Sequence, residues 1–372
     1  MEGLLYSLSK ESIEEDLNYI GGESIPMEAR SEVRRIQLTG GSTYIVSLPK
    51  RWVEEMGLGK GSLVRIYWEE GVGLRLEPEV EGEERRTRRA VIDISSKTTP
   101  ESLVRKVVSA YLVGYNVIQV RNPERRIATT QRYAIKDLIR KKLLGIELLS
   151  DLPQELTLQV LVGHGELSVK DALRRMSAIA ASMHRDAIMA LMTDDPELAR
   201  EVIEMDDEVD RFGLYIIRLL KMAVSDGRVL REIGLSSPRE CLGYRLITKS
   251  IERMADHAAN IAQNSLTMTP MNLSRELLRE IKAMSDSALR VFEEAIEALF
   301  KWDYASADRV FEKAEETRQM EAGVVQKVIK HAPAEDVPAL RLIIESIRRT
   351  AEYGSDIAEI VLNLTIGEEI KD

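Results

Sequence analysis

The sequence has few of the residues from which disulfide frameworks, membrane spans and aromatic cores are built. It contains one cysteine and four histidines among 372 residues, which excludes a disulfide framework and a cysteine-based metal cluster. Aromatic residues make up 5%, against 14 methionines, a composition more typical of helical bundles than of β-sandwiches. No hydrophobic run approaches the ~18 residues of a spanning helix, and residues 1–18 are too acidic for a signal peptide. We therefore expect a cytoplasmic protein without a membrane span.

Charge is distributed unevenly along the chain, whose net charge is −10. Residues 85–142 carry 15 Lys and Arg against 4 Asp and Glu, whereas residues 143–372 carry 28 against 41. The local field decides which partners bind, so the basic segment favours an anionic partner, although a solvated helix face is the alternative. The residues expected to contact that partner are Arg125, Arg126, Arg132, Lys136 and Arg140, of which the last three share one helix face.

The pattern of strands, helices and breaks predicts a multidomain protein. An acidic helix or arm is expected over residues 1–30, and a β-rich domain over residues 31–80. Residues 87–163 follow the order β-α-β-α-β and form a small basic α/β domain. Residues 165–366 are helical throughout.

The β-rich segment contains two hairpins around a short helix, within about 45 residues that are too few for a comfortable core. Its runs Gly40 to Lys50 and Met56 to Ser62 resemble the AbrB/SpoVT swapped-hairpin domain. That resemblance implies an intertwined homodimer whose basic strands contact duplex DNA. The residues expected to contact DNA are Arg34, Arg35, Lys50 and Arg51, with solvated surface charges as the alternative.

The helical segment repeats itself. Six periodic segments are predicted, at about 168–192, 196–226, 238–265, 273–301, 303–331 and 335–365. The sequence from Asp194 to Glu204 has an echo 108 residues later, from Trp302 to Glu312. An internal duplication predicts two three-helix bundles, residues 168–265 and 273–365.

Two helices of the first bundle carry carboxylates four residues apart, which places each pair on one face. The pairs are Asp206 with Asp210 and Glu252 with Asp256. Facing pairs repel each other unless a cation lies between them, and hard oxygen ligands suit Mg²⁺, Mn²⁺ or iron. Chance pairing in a Glu-rich helix is the alternative, with Arg211 or Arg253 as neutralising partners.

The segments around these carboxylates, residues 206–210 and 252–262, resemble PhoU proteins. That family consists of two three-helix bundles and is linked to phosphate uptake and its signalling. Some members hold multinuclear metal clusters on E/D-x-x-x-D motifs, so the resemblance implies metal binding by Asp206, Asp210, Glu252 and Asp256. It also implies a phosphate ABC transporter and a sensor kinase as partners.

The second bundle departs from this pattern. The 108-residue offset places Ala314 and Arg318 where the first pair would recur, and Arg348 and Glu352 where the second would. We therefore expect a single metal site, in the first bundle only, and ordinary ion pairs for both arginines.

Three functions are compatible with these features. The first is a phosphate-homeostasis regulator that binds DNA and senses a metal, a phosphate-linked ligand or a partner protein. The second is an adaptor of a phosphate transporter or kinase, in which the AbrB-like unit only dimerises. The third, a carboxylate metalloenzyme, lacks the Glu-x-x-His motifs of di-iron bundles. Since the sequence also contains no nucleophile–base–oxyanion set, we expect no enzymatic activity.

Overall fold

The structure is a computed structural model that describes residues 32–69, 73–79, 88–163, 165–268 and 273–370. The acidic arm predicted over residues 1–30 lies outside these ranges. The chain divides into two compact units, residues 1–85 and 86–372. Within the described ranges, none of the helices is long and apolar enough to cross a membrane.

The described part of the first unit consists of two hairpins and a short helix, as the sequence predicts. Strands β1 (Gln37–Thr39) and β2 (Thr43–Ile45) pair antiparallel, and the turn between them uses Gly40 and Gly41 at positive φ. Helix α1 (Lys50–Glu55) follows. Strands β3 (Leu63–Glu69) and β4 (Gly73–Glu79) form the second antiparallel pair.

The described part of this unit has no core of its own. Every described side chain between residues 32 and 79 is exposed or half-buried. Large apolar side chains face solvent, among them Trp68, which is 88% exposed, and its cross-strand partner Leu74, which is 67% exposed. A two-stranded hairpin is marginally stable by itself in water, so this unit needs further apolar surface to pack against.

The second unit begins with an α/β part. Its elements are β5 (Arg89–Asp93), α2 (Pro100–Leu112), β6 (Val117–Arg121), α3 (Thr129–Lys142), β7 (Ile146–Leu152) and β8 (Glu155–Val160). The sheet order is β5-β6-β8-β7, with β5 and β6 parallel and the other neighbours antiparallel. Helices α2 and α3 contact each other and the sheet.

The predicted order β-α-β-α-β is wrong by one strand, because β7 lies between α3 and the expected final strand. Gly145, at φ +69°, turns the chain directly from α3 into β7. A register irregularity between Leu148 and Ser150 then interrupts the strand. This bulge breaks the period-2 alternation by which a strand is recognised in sequence.

The helical part confirms the six predicted segments and adds one short helix. The long helices are α4 (Val169–Thr193), α5 (Pro196–Ser225), α7 (Pro238–Ser265), α8 (Arg275–Lys301), α9 (Tyr304–His331) and α10 (Val337–Glu369). The additional helix is α6 (Gly227–Glu232), between α5 and α7.

The 108-residue repeat is visible in the backbone. Asp194 and Trp302 end α4 and α8 in the same left-handed conformation, at φ 55° and 58°. The next residues, Asp195 and Asp303, then cap α5 and α9 by accepting hydrogen bonds from backbone N–H groups. A side chain with a Cβ is strained at such φ values, so this shared junction supports a duplication.

The two bundles share one continuous hydrophobic core. Helix α10 packs on α7 of the first bundle as well as on α8 and α9. The close approach of α10 to α8 requires Gly354, because a Cβ there would lie 2.9 Å from the backbone nitrogen of Phe292. The bundles therefore behave as one packed body.

A buried histidine joins the bundles. The Nε2 atom of His184 on α4 lies 2.8 Å from the Ser285 hydroxyl of α8, and its Nδ1 lies 3.3 Å from the Thr350 hydroxyl of α10. Burial lowers the pKa of His184 to about 4, so it is neutral near pH 7. The residue therefore serves the packing of the two bundles against each other.

Candidate functional site

Helices α5 and α7 bring the four predicted carboxylates together. Asp206 is half-buried, and its pKa is raised to about 6. The largest cause is burial; the next is repulsion from Asp210, and repulsion from Asp207 and Glu252 contributes less. The Oδ1 atom of Asp206 is buried and has no hydrogen-bond partner among the residues that the structure describes. Asp206 thus lies in a region of excess negative charge, as the helical spacing predicted.

Asp256 completes the cluster on α7. Desolvation, and then repulsion from Asp206, Glu252 and Asp210, raises its pKa to about 7. The residue is nevertheless exposed by surface area. Because water screens the repulsion at an exposed carboxylate, we assign the larger electrostatic penalty to Asp206.

The principal cation of this cluster comes from outside the bundle. The Nζ atom of Lys142, the last residue of α3, lies 2.5 Å from an oxygen of Asp207 and 2.6 Å from an oxygen of Asp210. Burial lowers the pKa of Lys142, but the two aspartates outweigh burial and hold the pKa above its usual value. The α/β part is therefore ion-paired directly to the acidic face of α5.

A second lysine lies on α7 itself, where Lys249 Nζ is 2.7 Å from an oxygen of Glu252. Two lysines thus contact a group of five carboxylates, which leaves the group negatively charged. Arg211 and Arg253, the sequence-based candidates for neutralising the pairs, make no ion pair with them within the ranges that the structure describes. Lys142 was not a candidate, because no sequence pattern connects α3 to α5.

The donor set fits a hard cation by its chemistry and charge. Carboxylate oxygens are the ligands that Mg²⁺, Mn²⁺ and iron prefer, and Asp206 Oδ1 is free to bind one. The arrangement is not that of a finished site, since in the described ranges no three His, Cys, Asp or Glu side chains are grouped to hold a metal ion. Asp206 and Asp256 have no lysine partner in the described ranges, whereas Glu252 and Asp210 are held by Lys249 and Lys142.

The predicted basic patch is largely paired within the α/β part. Arg132 and Lys136 form ion pairs with Asp151 of β7, the second at 2.7 Å, and Arg140 pairs with Asp137 at 2.9 Å. Arg132 also donates to the carbonyl of Leu152 at 2.9 Å, so it supports the β7–β8 turn. The acidic partners weaken the case for one uninterrupted positive surface. Two members of the patch, Arg125 and Arg126, are exposed in the loop before α3.

The four cations proposed to contact DNA are exposed in the first unit. Arg34 pairs with Glu32, while Lys50 and Arg51 form pairs four residues apart on α1, at 3.5 Å with Glu54 and 2.8 Å with Glu55. Arg35 is exposed before β1. Surface pairs of this kind contribute about 0.2–1 kcal/mol, so they do not prevent binding to phosphates.

The second bundle has ion pairs where the first has its acidic cluster. Arg318 contacts Glu315 at 2.6 Å. Arg348 pairs with Glu352 and lies 3.3 Å from Glu321. The expected ordinary ion pairs are confirmed for both arginines.

The raised pKa of Asp206 predicts how Asp206→Asn changes stability. The folded chain binds this proton more tightly than the unfolded chain does, so stability falls as pH rises from about 4 to about 6. The pKa shift of Asp206 corresponds to a loss of at most ~3 kcal/mol in the free energy of unfolding. Solvent screening at a half-buried group reduces this loss to about 1 kcal/mol. Urea unfolding with EDTA should show Asp206→Asn about 1 kcal/mol more stable than the parent at pH 8.

The matched control is Glu208→Gln, an exposed position on the same helix, which should leave the free energy of unfolding unchanged. The gain of Asp206→Asn should shrink at pH 5. A variant that is less stable than the parent at pH 8 would contradict the assignment of excess negative charge to Asp206.

Comparison with known proteins identifies both parts of the chain. The PhoU domain model matches residues 173–265 and 281–361, and the two matches begin 108 residues apart. The model described as antidote-toxin recognition MazE, a bacterial antitoxin, matches residues 37–84.

Curated relatives match the helical part. The chain is 23% identical over 210 residues to the phosphate-specific transport system accessory protein PhoU homolog 1 of Thermotoga maritima, covering 55% of this chain and 88% of that protein. It is 24% identical over 206 residues to the PhoU homolog of Caulobacter vibrioides, covering 53% and 86%.

A solved structure, the phosphate transport system regulatory protein PhoU from Streptococcus pneumoniae, aligns with 55% of this chain and 96% of its own length. Its identity is 20% and the TM-score is 0.47. The chain thus combines a MazE/AbrB-like domain at its N-terminal end with a PhoU domain in its helical part.

Proposed function

We propose that the chain regulates phosphate uptake by binding duplex DNA as a homodimer through its first unit. The observation that carries the proposal is the lack of any buried side chain among residues 32–68, 73–76, 78 and 79, whose side chains the structure describes. A second copy of the same unit would cover the apolar surface of Trp68, Ile66 and Leu74. The relatives are named as accessory proteins of phosphate transport systems, which supports phosphate as the regulated nutrient.

Charge supports DNA as the partner of the first unit. Residues 33–53 contain four basic and no acidic side chains, namely Arg34, Arg35, Lys50 and Arg51. A dimer doubles this number, and each phosphate contact releases counterions and makes binding depend on salt. Residues 1–85 as a whole carry 10 Lys and Arg against 17 Asp and Glu, so the proposal rests on the local field of these four side chains and not on the net charge of the unit.

A second candidate function is an adaptor that contacts a phosphate ABC transporter or a sensor kinase and uses the first unit only to dimerise. The names of the relatives favour it, because they describe accessory proteins of a transport system. Both functions predict a homodimer, whereas only the first predicts tight binding to duplex DNA.

DNA binding is tested with the full chain by fluorescence anisotropy of a labelled duplex over a salt series. We expect micromolar or tighter binding that falls steeply with salt. Replacing Arg34, Arg35, Lys50 and Arg51 by Gln should make the slope of log K against log salt shallower by about 0.9 for each phosphate that the variant no longer neutralises.

The matched control replaces four exposed arginines of the helical part by Gln, at positions 200, 245, 275 and 279. It has the same net charge as the test variant and should keep the parent slope. Absence of binding by the parent at 50 mM salt, or an equally shallow slope in the two variants, would favour the adaptor.

We also propose that a divalent cation binds the acidic cluster in competition with Lys142. The cation would neutralise Asp206, Glu252 and Asp256, and it would gain Asp210 when the ammonium leaves. Since Lys142 belongs to the α/β part, cation binding would loosen the contact between α3 and α5. This gives the chain a way to sense metal without an enzymatic step.

Calorimetric titration of the full chain with Mn²⁺ tests this competition. Lys142→Met removes the competing ammonium and should tighten Mn²⁺ binding about tenfold, equivalent to about 1.4 kcal/mol. Adding Asp206→Asn to that variant should reverse the gain. Lys141→Met is the matched control, because Lys141 is exposed and pairs with Asp137 on its own helix. Equal Mn²⁺ affinity of the parent and Lys142→Met would refute the competition.

A further inference from the structure

A cavity of about 530 Å³ lies where the α/β part meets α5. Its wall is formed by the C-terminal half of α3, the start of β7, residues 161 and 162 after β8, and one residue of α5. Small-molecule sites are typically about 300–1,000 Å³. The cavity therefore has the size of a site for a metabolite.

The charged residues of its lining are mostly basic. Lys136, Arg140 and Arg211 line the cavity, against a single acidic residue, Glu147. Asp151 and Asp137 pair with Lys136 and Arg140, but they do not belong to the lining. The lining side chains carry a formal net charge of +2, part of which the pairs of Lys136 and Arg140 offset.

Arg211 is the residue that most clearly lacks a partner. Its Nε atom is buried and makes no hydrogen bond in the ranges that the structure describes. The neighbouring aspartates of α5 that could have paired with it, Asp207 and Asp210, are held by Lys142. A buried donor on a charged group is costly to leave unsatisfied, and the residue that carries it lines the cavity.

The remaining wall is aliphatic. Ile139, Leu143, Ile146, Leu148, Leu161 and Val162 contribute apolar side chains, and the described lining contains no aromatic ring. An inorganic anion alone would leave this surface in contact with water. A ligand with a charged head and an uncharged body would use both parts of the wall.

We propose that this cavity binds a small organic phosphate. Its phosphate would contact Arg211, Lys136 and Arg140, where a guanidinium can donate two parallel hydrogen bonds to phosphate oxygens. Its uncharged body would pack on the aliphatic wall. The inference rests on the proposed function in one respect, since it locates the phosphate-linked ligand that such a regulator would sense.

Calorimetric titration of the full chain with adenosine 5′-monophosphate, without DNA or metal, tests the cavity. Adenosine serves as the probe without phosphate, and inorganic phosphate as the probe without an uncharged body. We expect the nucleotide to bind at least about tenfold more tightly than either.

Arg211→Gln should weaken binding of the nucleotide at least about tenfold, and Arg200→Gln, an exposed position on the same helix, should not change it. Leu161→Trp, at a side chain that is 57% exposed, fills part of the cavity without removing a charge. This substitution should weaken binding of the nucleotide and leave binding of inorganic phosphate unchanged. This variant keeps the test valid if Arg211→Gln lowers stability.

No heat of binding at 5 mM nucleotide would overturn the proposal, as would equal affinity of the parent and both cavity variants. Binding of inorganic phosphate as tight as that of the nucleotide would overturn the inference that the ligand has an organic body. If the chain binds duplex DNA but not the nucleotide, the cavity does not bind an organic phosphate, while the proposed function in DNA binding stands.

Discussion

A folded segment must bury apolar surface somewhere, and the described part of the first unit does not do so within itself. Ordering the backbone costs about 1–2 kcal/mol of conformational entropy for each residue. Exposed hairpins bury little apolar surface, so they offset little of this cost. We propose that the exposed Trp68 and Leu74 belong to an interface with a second copy of this chain. The proposed DNA surface depends on that interface, because a dimer would bring together the basic side chains before β1 and on α1 of both copies.

The second unit meets the same requirement internally. Its six long helices share one core across both bundles, so α5 and α7 are rigid enough to hold five carboxylates against mutual repulsion. The ammonium of Lys142 relieves part of this repulsion and joins the α/β part to α5. By engaging Asp207 and Asp210, it also leaves Arg211 without an acidic partner beside the cavity. One lysine thus connects the proposed metal site with the proposed phosphate site.

Much of this architecture could be predicted from sequence, for physical reasons. Helix starts were accurate because Asp195–Pro196 and Ser237–Pro238 combine a capping residue with a proline at the first helical position. The acidic pairs were predictable because i, i+4 spacing fixes their face. Strand β7 was missed because its bulge disturbs the alternation. The ion pairs of Lys142 with α5, and the lack of an ion pair for Arg211 among the described residues, could not be predicted. Both depend on how α3 packs on α5, which no local pattern encodes.

Sedimentation equilibrium of the full chain shows whether a second copy of the chain completes the first unit. We expect a species of twice the 42.0 kDa chain mass at micromolar concentration. Replacing the cross-strand pair Trp68 and Leu74 by Asp should convert it to the monomer mass. A parent chain that sediments as a monomer, or a Trp68→Asp/Leu74→Asp variant that remains fully dimeric, would contradict the account.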